Sequence, residues 1–101
     1  LMLRFELPVT VLANLTFVAS LAVQEAISHF VPEPQLKLKW PNDVLVNDKK
    51  ICGILTETIS GKESYALVGI GLNVNQKKFS KNITDIATSL IIENNKNKLL
   101  I

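Results

Sequence analysis

The sequence has only one cysteine and one histidine among its 101 residues. The single thiol, Cys52, cannot close a disulfide within the chain, and together with His29 it cannot supply a zinc site. These shortages exclude a disulfide-stabilised scaffold and favour a reducing, cytoplasmic location. Cys52 also lies in an apolar run, where a free thiol usually serves as a small hydrophobic residue rather than as a nucleophile.

The sequence also lacks a large excess of positive or negative charge. Eleven Lys and Arg residues stand against nine Asp and Glu residues, and the net charge of +2 excludes the strongly basic surface that phosphate contacts with nucleic acid require. The 48% hydrophobic and 20% charged content is typical of a globular chain and excludes a disordered, collagenous or coiled-coil protein. The length allows one small domain.

The sequence also lacks an apolar run long enough for a membrane-spanning helix, which needs roughly 20 residues. The uncharged stretch 7–23 is interrupted by proline and by polar residues, and it ends in small residues like those of a signal peptide. A buried amphipathic helix explains it better, because apolar residues recur at helical spacing. We predict that Thr10 caps this helix and that Pro32 and Pro34 end it after Phe30. The predicted core-facing residues are Leu12, Leu15, Ala19, Ala22, Val23, Ala26, Ile27 and Phe30.

Segments with strand-like patterns flank this helix. Apolar and polar residues alternate weakly over 2–7 and clearly over 36–40, where a half-exposed strand is expected. Three further apolar segments lie at 44–46, 51–55 and 65–74. Turn residues separate them, which predicts an antiparallel meander, and a second helix is predicted within 86–92. The predicted fold is therefore α+β, with a helix packed on a mainly antiparallel mixed sheet.

Common catalytic motifs are absent. The sequence has no P-loop, and Gly69 and Gly71 lack the third glycine of a dinucleotide-binding loop. The unusual segment is 39–44, which places a cation, an indole, a proline, an amide and a carboxylate between two predicted strands. A structural turn accounts for part of this segment. Glycine weakens a strand, however, and Gly53, Gly69 and Gly71 indicate that a ligand approaches the strand backbone closely.

Three motifs follow one another in the central part of the chain. They are Lys39-Trp40-Pro41-Asn42-Asp43, Lys50-Ile51-Cys52-Gly53-Ile54-Leu55 followed by Glu57, and Gly69-Ile70-Gly71-Leu72-Asn73-Val74-Asn75. In this order and spacing they resemble the central block of the biotin protein ligases, also called biotin–[acetyl-CoA-carboxylase] ligases. The resemblance is close from Leu36 to Asn75 and implies the catalytic domain fold of biotin and lipoate protein ligases, of which residues 1–101 would be a part.

The resemblance implies an enzyme that joins biotin to the α-phosphate of ATP, forms biotinyl-5′-AMP and transfers biotin to one lysine of a biotin carboxyl carrier domain. Two anions meet in the first step, so a fixed cation is needed between them, and Lys50 matches the family lysine that provides it. Asp43 matches a carboxylate near the reacting centre that orients or helps deprotonate the acceptor lysine. Lys50 and Asp43 are therefore the predicted catalytic residues.

The other implied contacts divide between the two substrates. The biotin-binding residues implied by the resemblance are Lys50, Gly53, Leu55, Gly69, Gly71 and Leu72. The implied ATP-binding residues are Lys39, Asn42 and Asn73. Mg²⁺ would arrive with ATP, held by phosphate oxygens and water. Trp40 is interpreted as a packing residue rather than as a stacking surface.

The sequence lacks several segments that the family pattern includes. It contains no Gly/Arg-rich loop, no C-terminal β-domain and no N-terminal DNA-binding domain, which indicates the C-terminal part of a catalytic domain. We expect no nucleic-acid or membrane partner, and a homodimer stays open. Two alternatives also stay open. One is a non-catalytic remnant or subunit of such a ligase, and the other is a lipoate–protein ligase relative, which shares the fold and the adenylate chemistry.

Overall fold

The computed structural model describes residues 1–6, 14–32, 34–39, 42–59, 61 and 64–94. Its strands are β1 (Met2–Phe5), β2 (Leu36–Lys39), β3 (Asp43–Val46), β4 (Lys49–Ile59) and β5 (Tyr65–Leu72). Its helices are α1 (Leu15–Ser28) and the four-residue α2 (Leu90–Glu93). The predicted cap Thr10, and Leu12 and Trp40, lie outside the described residues.

The five strands form one sheet in the order β1-β5-β4-β3-β2, and every neighbouring pair is antiparallel. Strands β2 to β5 are consecutive both in sequence and in the sheet, which confirms the predicted meander, while β1 joins the far edge beside β5. Within the described residues, the one parallel pairing is an isolated bridge between Lys50 and Ala87. The predicted α+β fold is confirmed.

Two residues make the turn between β3 and β4. Val46 pairs with Lys49, so the loop contains only Asn47 and Asp48. Their φ angles are 51° and 67°, as a tight hairpin turn that follows the twist of the strands requires. Asparagine and aspartate tolerate this left-handed conformation better than most non-glycine residues. The local sequence therefore determines this hairpin.

Helix α1 packs on one face of the sheet through a narrow stripe. The buried helical residues are Leu15, Ser20, Val23 and Ile27. Three residues predicted to face the core are instead exposed, namely Ala22, Ala26 and Phe30. Only helical residues spaced about four apart contact the sheet. Ser20 tolerates burial because its hydroxyl donates to the carbonyl of Phe17 (2.6 Å). No helix in the described part of the chain is long and apolar enough to cross a membrane.

The predicted second helix is wrong in its first half. The N–H of Lys50 donates to the carbonyl of Ile86 (2.8 Å), and the N–H of Thr88 donates to the carbonyl of Lys50 (2.9 Å). These bonds to β4 use backbone groups that a helix would otherwise need. Helix α2 therefore begins only after Ser89, whose side chain caps it.

Candidate active site

A β-bulge in β4 directs Lys50 away from the core. Strands β3 and β4 pair Val44 with Cys52 but Leu45 with Lys50, so Ile51 is an extra residue in the ladder. With strict alternation, Lys50 would point to the same face as Cys52, which is buried. The bulge changes the phase of the strand and places one lysine on the sheet face opposite the core.

Lys50 and Asp43 form an ion pair on that face, with Nζ 3.2 Å from Oδ1. The Lys50 side chain is 50% exposed and that of Asp43 is 28% exposed, so the pair is accessible to a ligand and contributes little to stability. Asp43 pairs in the ladder with Gly53. A Cβ atom at Gly53 would lie 3.4 Å from both Cε and Nζ of Lys50. Gly53 therefore lies directly beside the lysine head.

A cavity of about 420 Å³ opens beside the ion pair, and we call it the glycine cavity. Gly53 pairs with Gly71, and Gly69 pairs with Leu55, so three glycines from β4 and β5 face the same side. Because these glycines carry no side chain, a ligand can reach the strand backbone. The lining residues are Leu1, Asn42, Asp43, Lys50, Gly53, Ile54, Leu55, Gly69, Ile70 and Gly71.

A second cavity, of about 650 Å³, shares Lys50 and Asp43 with the first, and we call it the loop cavity. Lys39 and Asn73, which the resemblance assigns to ATP, both line it. Sequence reasoning missed three apolar residues of its wall, which are Phe79, Ile83 and Ile86. Their spacing of four and three residues within a polar loop is the signal that could have found them.

Two predicted contacts lie elsewhere. Asn42, predicted to bind ATP, lines the glycine cavity and not the loop cavity. Leu72, predicted to bind biotin, packs against the core and lines neither cavity. Strand alternation gives the reason, because Gly71 faces the glycine cavity and the next residue must face the other side. The partner of Leu72 across the ladder is the buried Cys52.

Cys52 lies on the buried face of β4, behind the ion pair. It is 1% exposed, and burial raises the pKa of its thiol from 9.0 to about 11. The negative charge of Asp43 also raises this pKa, whereas Lys50 and a backbone hydrogen bond from Gly71 lower it. The thiol therefore keeps its proton at neutral pH, and the interpretation of Cys52 as a small hydrophobic residue is confirmed.

We expect iodoacetamide to alkylate native Cys52 at pH 8 at least about tenfold more slowly than it alkylates the unfolded chain, because only the thiolate reacts. The folded state holds the proton more tightly than the unfolded state. The contribution of this thiol to the free energy of unfolding is therefore complete below pH 9.0 and is lost as the pH rises to about 11. Mass-spectrometric time courses measure both rates, and equal rates would contradict the buried position.

The fold is that of a protein ligase catalytic domain. A biotin protein ligase from Aquifex aeolicus, solved in complex with biotin and ATP, matches the chain at 37% identity with a TM-score of 0.73. The match covers 96% of this chain and 41% of that chain. The model of the biotin/lipoate A/B protein ligase family matches residues 2–75, and the chain belongs to this family.

Two curated relatives agree with this assignment. The bifunctional ligase/repressor BirA of Bacillus subtilis is 42% identical over 94 residues, which cover 89% of this chain and 29% of that protein. The biotin–[acetyl-CoA-carboxylase] ligase of Mycobacterium tuberculosis is 36% identical over 88 residues, which cover 85% of this chain and 31% of that protein. The chain thus spans less than a third of the length of these relatives. The family predicted from the three motifs is confirmed.

Proposed function

We propose that this chain is the C-terminal part of the catalytic domain of a biotin protein ligase, which forms biotinyl-5′-AMP and transfers biotin to a lysine of a biotin carboxyl carrier domain. The observation that carries the proposal is that Lys50 and Asp43 line both cavities. Adenylation brings a carboxylate and a phosphate together, and a cation at their meeting point reduces the repulsion between them. Two adjoining cavities that share one lysine meet this requirement.

Biotin fits the glycine cavity. Its volume of about 420 Å³ lies within the range of small-molecule sites. Gly53, Gly69 and Gly71 allow a flat ring to approach the strands, and the exposed side chain of Leu55 offers an apolar contact. In this arrangement the biotin carboxylate points toward Lys50. The A. aeolicus ligase, which was solved in complex with biotin and ATP, supports biotin as the ligand.

ATP fits the loop cavity. Asn73 provides a polar contact for the nucleotide, and the apolar side chains of Ile83 and Ile86, which are 39% and 60% exposed, provide surfaces for its base. Lys39 at the same cavity attracts phosphate. Magnesium enters as part of the MgATP substrate. The described residues include no group of three or more His, Cys, Asp or Glu that could hold a metal, so phosphate oxygens and water supply its ligands.

The proposed reaction has two steps. A carboxylate oxygen of biotin attacks the α-phosphorus of ATP, the bond between the α-phosphorus and the bridging oxygen breaks, and pyrophosphate leaves. Lys50 stabilises the negative charge as it moves between these oxygens. The amine of the acceptor lysine then attacks the acyl carbon, AMP leaves, and Asp43 orients the amine and accepts its proton. A cytoplasmic location and a homodimer remain predictions.

The test is biotin-dependent release of pyrophosphate from MgATP, with lipoate in a parallel reaction and circular dichroism to confirm folding. We expect release with biotin alone. Release with lipoate alone would instead identify a lipoate–protein ligase relative. A folded protein that binds biotin by calorimetry but releases no pyrophosphate would identify the non-catalytic remnant or subunit. A folded protein that does not bind biotin would contradict the proposal.

A further inference from the structure

Glu93 joins two parts of the chain that are distant in sequence. Its Oε1 accepts a hydrogen bond from Asn47 Nδ2 (2.7 Å), and its Oε2 accepts one from Thr88 Oγ1 (3.0 Å). Asn47 belongs to the turn between β3 and β4, and Glu93 is the last residue of α2. The turn, the short helix and the segment before it therefore meet at one carboxylate. We call Asn47, Thr88 and Glu93 the clasp.

Thr88 connects the clasp to two residues proposed to contact substrate. Its N–H donates to the carbonyl of Lys50 (2.9 Å), and its carbonyl accepts a hydrogen bond from Asn73 Nδ2 (3.1 Å). Its hydroxyl donates to Glu93. Thr88 is 1% exposed, so bulk water cannot replace these partners. A change at Glu93 therefore reaches Lys50 and Asn73 through one buried residue.

These hydrogen bonds support the loop cavity rather than the glycine cavity. Ala87, which precedes Thr88, lines the loop cavity together with Lys50 and Asn73. No clasp residue lines the glycine cavity. The pairing of β4 with β5 holds its glycines, and pairing with β3 also holds Lys50, opposite Leu45. Loss of the clasp would therefore displace one wall of the loop cavity while the glycine cavity keeps its shape.

We propose that Thr88 and Glu93 are positioning residues for the nucleotide, with Asn47 as their anchor in the turn. The proposal rests on the proposed function, because it assigns the loop cavity to ATP. The clasp holds in place the Asn73 amide, which lines the loop cavity and not the glycine cavity. Weakening the clasp consequently impairs the binding of ATP and spares that of biotin.

The test measures KM for ATP and KM for biotin in biotin-dependent exchange between ATP and pyrophosphate. Thr88→Val removes the hydroxyl while it preserves side-chain volume and backbone bonds, and Glu93→Ala removes the acceptor. We expect each variant to raise KM for ATP about fivefold and KM for biotin less than about twofold. Because Glu93→Ala already removes the bond that Thr88→Val removes, the double variant should show no further increase over Glu93→Ala.

Two further variants serve as controls. Thr88→Ser should restore KM for ATP, because serine keeps the hydroxyl, and Glu25→Gln on the exposed side of α1 should change neither KM. Equal increases in both KM values, or an unchanged KM for ATP, in Thr88→Val and Glu93→Ala would overturn the proposed role of the clasp. Inactive wild-type protein would count against the proposed function instead. Amide hydrogen exchange then decides, since faster exchange at Lys50 in Thr88→Val supports the clasp and unchanged exchange overturns it.

Discussion

We expect Lys50→Ala to slow formation of the biotinyl adenylate by about 10²- to 10³-fold, the loss typical when one preorganised charged group is removed from a reacting centre. The ammonium of Lys50 lies where the two cavities join, so the variant leaves the carboxylate and the phosphate without a shared cation. The fold should persist, because an ion pair this exposed contributes at most about 1 kcal/mol to stability. Single-turnover adenylation with excess MgATP measures the rate.

Lys37→Ala is the matched control. Lys37 also forms an ion pair with an aspartate, Asp48, at 2.8 Å, and its side chain is 61% exposed, but it lines neither proposed substrate cavity. This variant should adenylate biotin at the wild-type rate. A comparable loss in both variants would assign the effect to overall charge, and an unchanged rate in Lys50→Ala would remove this lysine from the mechanism.

The hairpin of β3 and β4 could be predicted because its determinants are local. Two residues that tolerate positive φ, Asn47 and Asp48, stand between two apolar runs, and this pattern allows few other structures. The same local reasoning predicted the order of β2 to β5, since short turns join antiparallel neighbours. Residues close in sequence decide these features.

The orientation of Lys50 could not be predicted from strand periodicity. Alternation places Lys50 and Cys52 on one face, and the inserted residue Ile51 reverses that relationship. The bulge lies where the neighbour of β4 on one side changes. At Lys50 that neighbour is the segment with Ile86 and Thr88, and from Cys52 onward it is β5. Resemblance to a family identified the lysine, and tertiary contacts orient it.

The wall of the loop cavity could not be predicted either, because it also depends on tertiary contacts. The apolar residues of the 86–92 segment fit a helix, but hydrogen bonds to a strand more than thirty residues earlier hold the first part of the segment against β4. Propensity is a weak guide when backbone partners come from elsewhere in the chain. Leu72 shows the opposite case, since alternation from Gly71 alone would have placed it on the core side.

Filling the glycine cavity should abolish most biotin binding without unfolding the protein. A Cβ atom at Gly71 would meet only the carbonyl oxygen of Gly53, at 3.9 Å, so the strand itself tolerates a side chain there. Gly71 faces the cavity, however, and the two methyl groups of Gly71→Val would occupy space proposed for biotin. We expect biotin affinity to fall about 100-fold, at the upper end of the cost of overpacking a close-fitting site. Isothermal titration with biotin measures the loss.

Three comparisons separate a filled site from a damaged fold. Gly71→Ala should cause a smaller loss of affinity than Gly71→Val, because the effect scales with the volume added to the cavity. Gly61→Val should bind biotin normally, since an added Cβ there meets no atom within 4 Å and Gly61 lines neither proposed cavity. MgATP affinity should be retained in both Gly71 variants, whose side chains do not enter the loop cavity. Normal biotin affinity in folded Gly71→Val would show that this glycine serves the strand and not the ligand.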